Sequence, residues 1–337
     1  MKKKFKKGLL ALLLAPTMLF AAACTRSISI SDYSDKMATS AENYYQTLKV
    51  DSRRTIEVSM TSENSYKQWV YWGEADESGA TEDFTSTSVV TQKFEIGKDT
   101  IGQESLRVTE TNKTTINGFK EKEDETGYEA MTDVTDTKTI TTYVMVPGEN
   151  EEPDTYKAYV EKSTKENNED AVVVRTIYTY YGFEAFENSL KTINSSVENK
   201  LIESNFFAGT SFALFGLVGG EVEYYKDGKD AFGVKGNLAT TEVNDGEVER
   251  QSTDFEIRYE KNLPVSVNMT GEYQAKNSHL DIEDQPTKMN METESTGYIT
   301  ITYSCDAITV PTGFEDATTI YSTPSISVMS LSVSSVL

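Results

Sequence analysis

Histidine is nearly missing from this chain: of 337 residues one is His, at position 279. That scarcity argues against Ser-His-Asp, Cys-His and multi-histidine metal mechanisms, each of which needs an imidazole to move a proton or hold an ion. Cysteine is scarce as well, and the pair Cys24 and Cys305 is too few for a disulfide scaffold. Basic residues are outnumbered, 32 Lys plus Arg against 54 Asp plus Glu, for a net charge of −22. Such a chain has no basic face with which to displace counterions from phosphates, which excludes nucleic acid as a partner. No phosphate-cradling Gly-rich loop and no Gly-x-Ser-x-Gly elbow occurs. No apolar run reaches the roughly 20 residues of a membrane-spanning helix. What is present is apolar weight: 37% hydrophobic and 10% aromatic residues, too much for a disordered acidic tail.

The charge is unevenly placed. Lys2, Lys3, Lys4, Lys6 and Lys7 precede an apolar run from Leu9 to Phe20, and Ala21-Ala22-Ala23 precede Cys24. A basic, an apolar and a small-residue region in that order make a secretory signal peptide. Removing residues 1–23 leaves 27 basic against 54 acidic residues, a net charge of −27. The Ala-Ala-Ala-Cys sequence resembles the lipobox of bacterial lipoproteins, with Ala21 where that family prefers Leu. The resemblance implies that Cys24 is the lipid attachment site, carrying a diacylglyceryl group that anchors the protein to the cell membrane. Acyl chains hold by ~0.8 kcal/mol for each buried CH₂. The expected location is the extracytoplasmic face of a Gram-positive-type bacterium.

The mature chain divides into a polar, Ser-rich tether at residues 24–35, one domain at 36–317 and a Ser-rich tail at 318–337. Asp35 is an N-cap candidate for a first helix, with Met37, Ala41, Tyr44, Tyr45 and Leu48 at three- and four-residue spacing. From residue 53 to about 180 the pattern becomes β. Runs rich in Thr, Val, Ile and Tyr, such as Val89 to Ile96, Leu106 to Thr111, Thr139 to Val146 and Val172 to Tyr181, predict an antiparallel meander. Phe183, Phe186, Leu190, Ile193, Val197 and Leu201 then mark an amphipathic helix. β patterning resumes at Val222 and runs to Tyr303, with Asn244-Asp245-Gly246 as a hairpin turn. The acidic stretches 119–137 and 149–170 read as long solvated loops. The tail, uncharged after Asp316, is either frayed or an added edge strand.

Candidate chemistry is thin. With 54 acids, no spacing singles out a carboxylate pair for glycoside hydrolysis. Asp281, Glu283 and Asp284 lack the alternating ligands and the sixth-place Gly of a calcium loop, so no metal site is expected. Cys305, without a cation beside it in sequence, reads as a small core residue. No cofactor and no enzymatic activity are expected.

The unexplained feature is an uncharged stretch after the second helix. It contains Phe206, Phe207, Phe212, Phe215, Leu217 and Val218, which cannot all face one side of one strand. It is either a strand buried on both faces, a plug over the sheet, or the wall of an apolar ligand cavity. In the last case Phe186, Ile193, Phe206, Phe207, Phe212, Phe215 and Leu217 line the cavity.

The order of elements, lipobox, tether, helix, meander, helix, meander, resembles the LolA/LppX/LprG-like lipoproteins. Phe255 to Tyr259 followed by Asn262-Leu263-Pro264-Val265-Ser266-Val267 is similar to a strand, Leu-Pro turn and strand of that family. Ile308-Thr309-Val310-Pro311 followed by Asp316-Ala317 is similar to its last strand and Pro exit. The resemblance implies a mainly β (α+β) fold in which a curved antiparallel sheet, a half-barrel, wraps about two helices. It further implies a lipid, or a lipidated ligand, bound between sheet and helices. The alternative is a non-enzymatic cell-surface protein that binds another protein through its sheet edge or acidic loops.

Overall fold

The computed structural model describes residues 25–48, 55–72, 81–121, 128–148, 152–203, 220–244, 247–282, 285–324 and 326–329. The elements in chain order are β1 (Thr25–Ser27), α1 (Ile30–Leu48), β2 (Ile56–Trp72), β3 (Thr81–Lys98), β4 (Glu104–Glu121), β5 (Tyr128–Val146), β6 (Thr155–Glu166) and β7 (Val172–Thr179). Then follow α2 (Phe183–Glu203), β8 (Glu221–Asp227), β9 (Ala231–Asn244), β10 (Glu247–Glu260), β11 (Leu263–Ile282), β12 (Gln285–Thr302) and β13 (Thr318–Ile320).

All the strands join one sheet in the order β1-β8-β9-β10-β11-β12-β2-β3-β4-β5-β6-β7-β13. Two meanders, β2 to β7 and β8 to β12, meet where β12 pairs antiparallel with β2, Ile299 opposite Met60. Among the described strands every pairing is antiparallel except that of β13 with β7; an isolated bridge between Asp99 and Ile308 is parallel too. The expected half-barrel around two helices is therefore replaced by one open 13-stranded mixed sheet, ending in β1 at one edge and β13 at the other. The physical reason lies in strand length and in the two chain ends. β11 has 20 residues and spans about 65 Å at ~3.3 Å per residue. The helices, with 19 and 21 residues at 1.5 Å each, reach only about 30 Å. They cover one end of the sheet and cannot fill the interior of a wrapped one.

The acidic stretches are not long loops either. Residues 128–137 extend β5 along β4, with Lys113 opposite Asp136 and Lys120 opposite Glu129, and residues 155–166 form β6. Thr and Val density, together with the cross-strand register of Lys113 with Asp136, outweighs the acidity. The segment read as a tether is also ordered. Thr25–Ser27 pairs with β8, and α1 begins at Ile30 rather than after Asp35, because Ser29 Oγ accepts the Asp32 N–H at 3.1 Å as the cap. The β10–β11 turn falls at Lys261 and Asn262, with φ of 50° and 56°. The last strand read at 308–311 shrinks to a single bridge, Ile308 with Asp99, and the tail opens as the edge strand β13.

The main core lies between the helix-bearing face of the sheet and the two helices. Ile56, Val58 and Met60 of β2 alternate into it, as do Phe94 of β3, Leu106 and Val108 of β4, and Ile299 and Ile301 of β12. From α1 come Tyr33 and Tyr44, and from α2 Phe186, Leu190, Ile193, Val197 and Leu201. A smaller cluster of Val144, Tyr159, Ile308 and Phe314 packs on the opposite face of β5 and β6. Among the described residues no helix is long and apolar enough to cross a membrane.

Candidate functional site

On the helix-bearing face, side chains stand in rows across the strands. One row runs Lys98, Glu104, Met145, Tyr156, because Lys98 pairs with Glu104 and Met145 with Tyr156 in register. The first two turns of α2 lie over this row. Between them is a cleft of ≈ 340 Å³, lined by Met145, Tyr156, Phe183, Phe186 and Leu190, with Lys98, Gln103, Glu104 and Glu187 at its rim. Helical spacing puts Phe183, Phe186, Glu187 and Leu190 on one face of α2, which is why they share the cleft.

The aromatic contacts fix its wall. Tyr156 sits 5.4 Å from Phe186 and 5.6 Å from Phe183, measured between ring centroids. Phe186 also meets Tyr180 edge-on at 5.5 Å, and Tyr180 Oη hydrogen-bonds Ser189 Oγ at 3.2 Å. Phe186 is buried, whereas Phe183 is 53% exposed and stands at the mouth. At the rim Glu187 is held by Lys191 at 3.0 Å, one helical turn away. Among the described residues no carboxylate lies within ion-pair range of Lys98. The cleft thus joins an apolar wall to a rim that carries Lys98, Glu104 and Glu187.

Beneath α2, one row further into the sheet, the Tyr143 hydroxyl is fully buried and has no hydrogen-bond partner among the described residues. Burial, followed by its neighbours Tyr180, Glu110 and Tyr178, pushes its pKa far above the ordinary phenol value. It remains a neutral donor.

A second cleft, of ≈ 460 Å³, opens on the opposite face over β8 to β11. Its floor reaches Phe255 because Gly236 has no Cβ; any such atom would collide with the Phe255 ring. Three of the four acids that line it, Glu223, Asp254 and Glu256, are already engaged. Lys235 pairs with Glu223 at 3.0 Å, Asn237 donates to Asp254 at 2.7 Å, and Tyr225 Oη donates to Glu256 at 2.6 Å. This surface network leaves Glu221 as the one lining acid without a side-chain partner among the described residues and so offers a ligand few free groups.

Of the residues read as cavity-lining, Phe186 borders the cleft, while Ile193 lies two turns further along α2 in the core. Phe206, Phe207, Phe212, Phe215 and Leu217 lie outside the described residues, as does Cys24. The sequence reading missed Met145, Tyr156 and Phe183 as a group, because they meet only through strand register and helix docking. Cys305 is half-buried rather than fully buried. Its Sγ contacts the Ile96 carbonyl at 3.5 Å and fills the space above Gly97. Burial, then the charges of Glu95 and Glu57, raise its pKa, so the thiol stays protonated and unreactive. His279 falls on β11 opposite Lys288, away from the cleft in register. Among the described residues no group of acids, His or Cys is arranged to hold a metal ion.

No protein-family model and no curated protein matches the chain. Among solved structures it is similar, at 7% identity and a TM-score of 0.15, to the translocator domain of the autotransporter NalP from Neisseria meningitidis, over 81% of this chain and 98% of that one. It is also similar to the secretin InvG of the Salmonella type III secretion injectisome, at 8% identity and a TM-score of 0.15, over 75% and 61% of the two chains. A third is an outer membrane channel from Pseudomonas putida F1, at 11% identity and a TM-score of 0.14, over 75% and 99%. Likeness at these scores places the chain in no family.

Proposed function

We propose that this protein is a membrane-anchored extracytoplasmic lipoprotein that binds an amphiphilic, lipid-like ligand between α2 and the sheet. The observation that carries the proposal is the cleft itself. It presents five apolar or aromatic side chains beside a polar rim of Lys98, Gln103, Glu104 and Glu187, in which Lys98 has no ion-pair partner among the described residues, the chemistry that an acyl chain with a polar head requires. Binding proceeds without covalent chemistry, each CH₂ withdrawn from water contributing about 0.8 kcal/mol. The Tyr143 hydroxyl adds a buried donor for a polar atom that reaches deeper. The location rests on the basic and apolar leader and on the Ala-Ala-Ala-Cys24 sequence.

Two experiments separate the parts. Organic extraction of the purified full-length protein, followed by mass spectrometry, should yield a co-purifying amphiphile at a stoichiometric level; an empty extract after expression in a lipid-replete host contradicts ligand binding. Independently, Cys24→Ala should move the protein from the membrane to the soluble fraction, and unchanged membrane retention contradicts acylation.

A second reading, docking of another protein's strand on the sheet edge, has one observation in its favour. β13 pairs only with residues 176–178 of β7, and Val172, Val173 and Val174 beyond it are 65%, 45% and 56% exposed. Lys substitution of these valines should abolish capture of such a partner and leave ligand binding intact.

A further inference from the structure

The C-terminal segment does more than add an edge strand. After β13 the chain turns back over the helix-bearing face, where Ile326, Val328 and Met329 pack against the main core. There it meets Gln92, a β3 side chain only 4% exposed. Gln92 Nε2 donates to the Ser327 carbonyl at 2.7 Å, and Gln92 Oε1 accepts the Met329 N–H at 2.6 Å. A residue in a parallel β-ladder makes this same pair of bonds, to the carbonyl before and the N–H after the residue it faces. The carboxamide therefore acts as one rung of a strand, centred on Val328.

Its orientation is fixed from behind. The second Nε2 hydrogen is donated to Glu110 Oε1, on the neighbouring strand and directly opposite Gln92 in register. A carboxylate only accepts, so Nε2 must face Glu110 and the Ser327 carbonyl, leaving Oε1 for the Met329 N–H. Both bonds to the segment involve backbone atoms, so the clamp selects an extended conformation rather than particular side chains. Selectivity comes from the floor, which takes the aliphatic side chains Ile326 and Val328 two residues apart. It comes also from Glu110, which disfavours an acidic strand. The tail fits both conditions, with no charged residue after Asp316 in a chain of net charge −22.

We propose that the face around Gln92 is a binding site for an extended, uncharged peptide strand bearing aliphatic residues two apart, and that the protein's own C-terminal segment occupies it as an exchangeable internal ligand. Gln92 contacts the bound strand; Glu110 is a positioning residue that acts through Gln92.

The test uses the full-length chain and a fluorescein-labelled peptide of residues 322–330. Wild-type protein should bind the peptide weakly, because the tail is already in place. The variant V328D/M329D, which expels the tail, should bind it about tenfold more tightly or better, the effect of freeing two backbone bonds and two aliphatic contacts. Adding Gln92→Leu to that variant should return binding to the weak level. Equal binding by wild type and V328D/M329D overturns the proposal, as does binding that ignores Gln92. Hydrogen exchange provides a readout without expelling the tail. The Met329 amide should be protected in wild type and exchange about tenfold faster in Glu110→Gln, whose amide no longer dictates the Gln92 orientation. Unprotected exchange in wild type, or no change on substitution, overturns it too.

Discussion

The rings of Tyr156 on β6 and Phe186 on α2 lie 5.4 Å apart with an interplanar angle of 39°, and this contact seats α2 on the sheet while forming the back wall of the cleft. Structure and binding meet in Phe186, and they part at Phe183 one turn earlier. Phe186 is 2% exposed, so Phe186→Ala should destabilise the fold by about 3 kcal/mol, the usual cost of emptying a buried aromatic site. Phe183→Ser, at the mouth, should leave the urea midpoint nearly unchanged and weaken ligand uptake. Parallel urea titrations and binding curves on the two variants check this division.

Acid stability should depend on one outward-facing pair. Arg107 Nε and Nη2 reach Glu95 Oε2 and Oε1 at 2.7 and 3.0 Å, a two-pronged bond across β3 and β4, and Lys93 adds its charge at 3.6 Å. Burial of Glu95 works against ionisation, but the Arg107 bonds and charge outweigh it and lower the pKa. A carboxylate with a depressed folded pKa contributes stability above its unfolded value, and that contribution is lost as pH falls through the folded one. Stability should therefore decline below about pH 4.5. Arg107→Met should flatten this limb in urea titrations repeated between about pH 6 and pH 3. An unchanged slope refutes the assignment.

At the alkaline end the tyrosines dominate. Burial raises Tyr33 to about 12 even though the neighbouring Tyr259 pulls the other way, and burial raises Tyr180 to about 12 against its bond with Ser189. A raised folded pKa means that the stabilisation is intact below the unfolded value near 10 and is lost as pH climbs toward 12. Absorbance titration should thus show exposed tyrosines ionising first. The buried ones should follow in a cooperative step coincident with loss of near-ultraviolet circular dichroism.

The start of α1 gives a local test. Ser29 Oγ caps the helix, so Ser29→Ala should cost about 1 kcal/mol, while Asp35→Ala, inside the helix, should cost little. Comparison of thermal midpoints for the two variants checks it.

How legible the protein is from its residues varies with the range of the interaction. The second helix was legible because Phe183 to Leu201 repeat at helical spacing, whereas the turn read at Leu263-Pro264 falls earlier, at Lys261 and Asn262, and Leu263 and Pro264 already pair in β11. The extent of β4 and β5 was not legible. Lys113 opposite Asp136 is a pairing 23 residues apart that turns a charged run into a strand, and charge counted along the chain hides it. The cap at Ser29 lay in a Ser-rich stretch, where any of several serines served equally well as a tether. The half-barrel failed for a topological reason: the order of elements does not say where the sheet ends, and here both chain termini add edge strands. Of the site, Phe186 was visible from its helix. Tyr156 and Met145, which come from other elements, were not. The Gln92 clamp joins residues 235 and 237 positions apart, beyond the reach of any local pattern.

The central claim, an amphiphile held between α2 and the sheet, is tested most directly by titrating the delipidated full-length protein with a fluorescent fatty acid, in wild type and in Phe183→Asp. The account predicts saturable one-to-one binding by wild type and a loss of about tenfold or more in Phe183→Asp, with unchanged circular dichroism, because a carboxylate at the mouth disfavours an apolar chain. No saturable binding by wild type, or equal affinity in the two proteins, would contradict it.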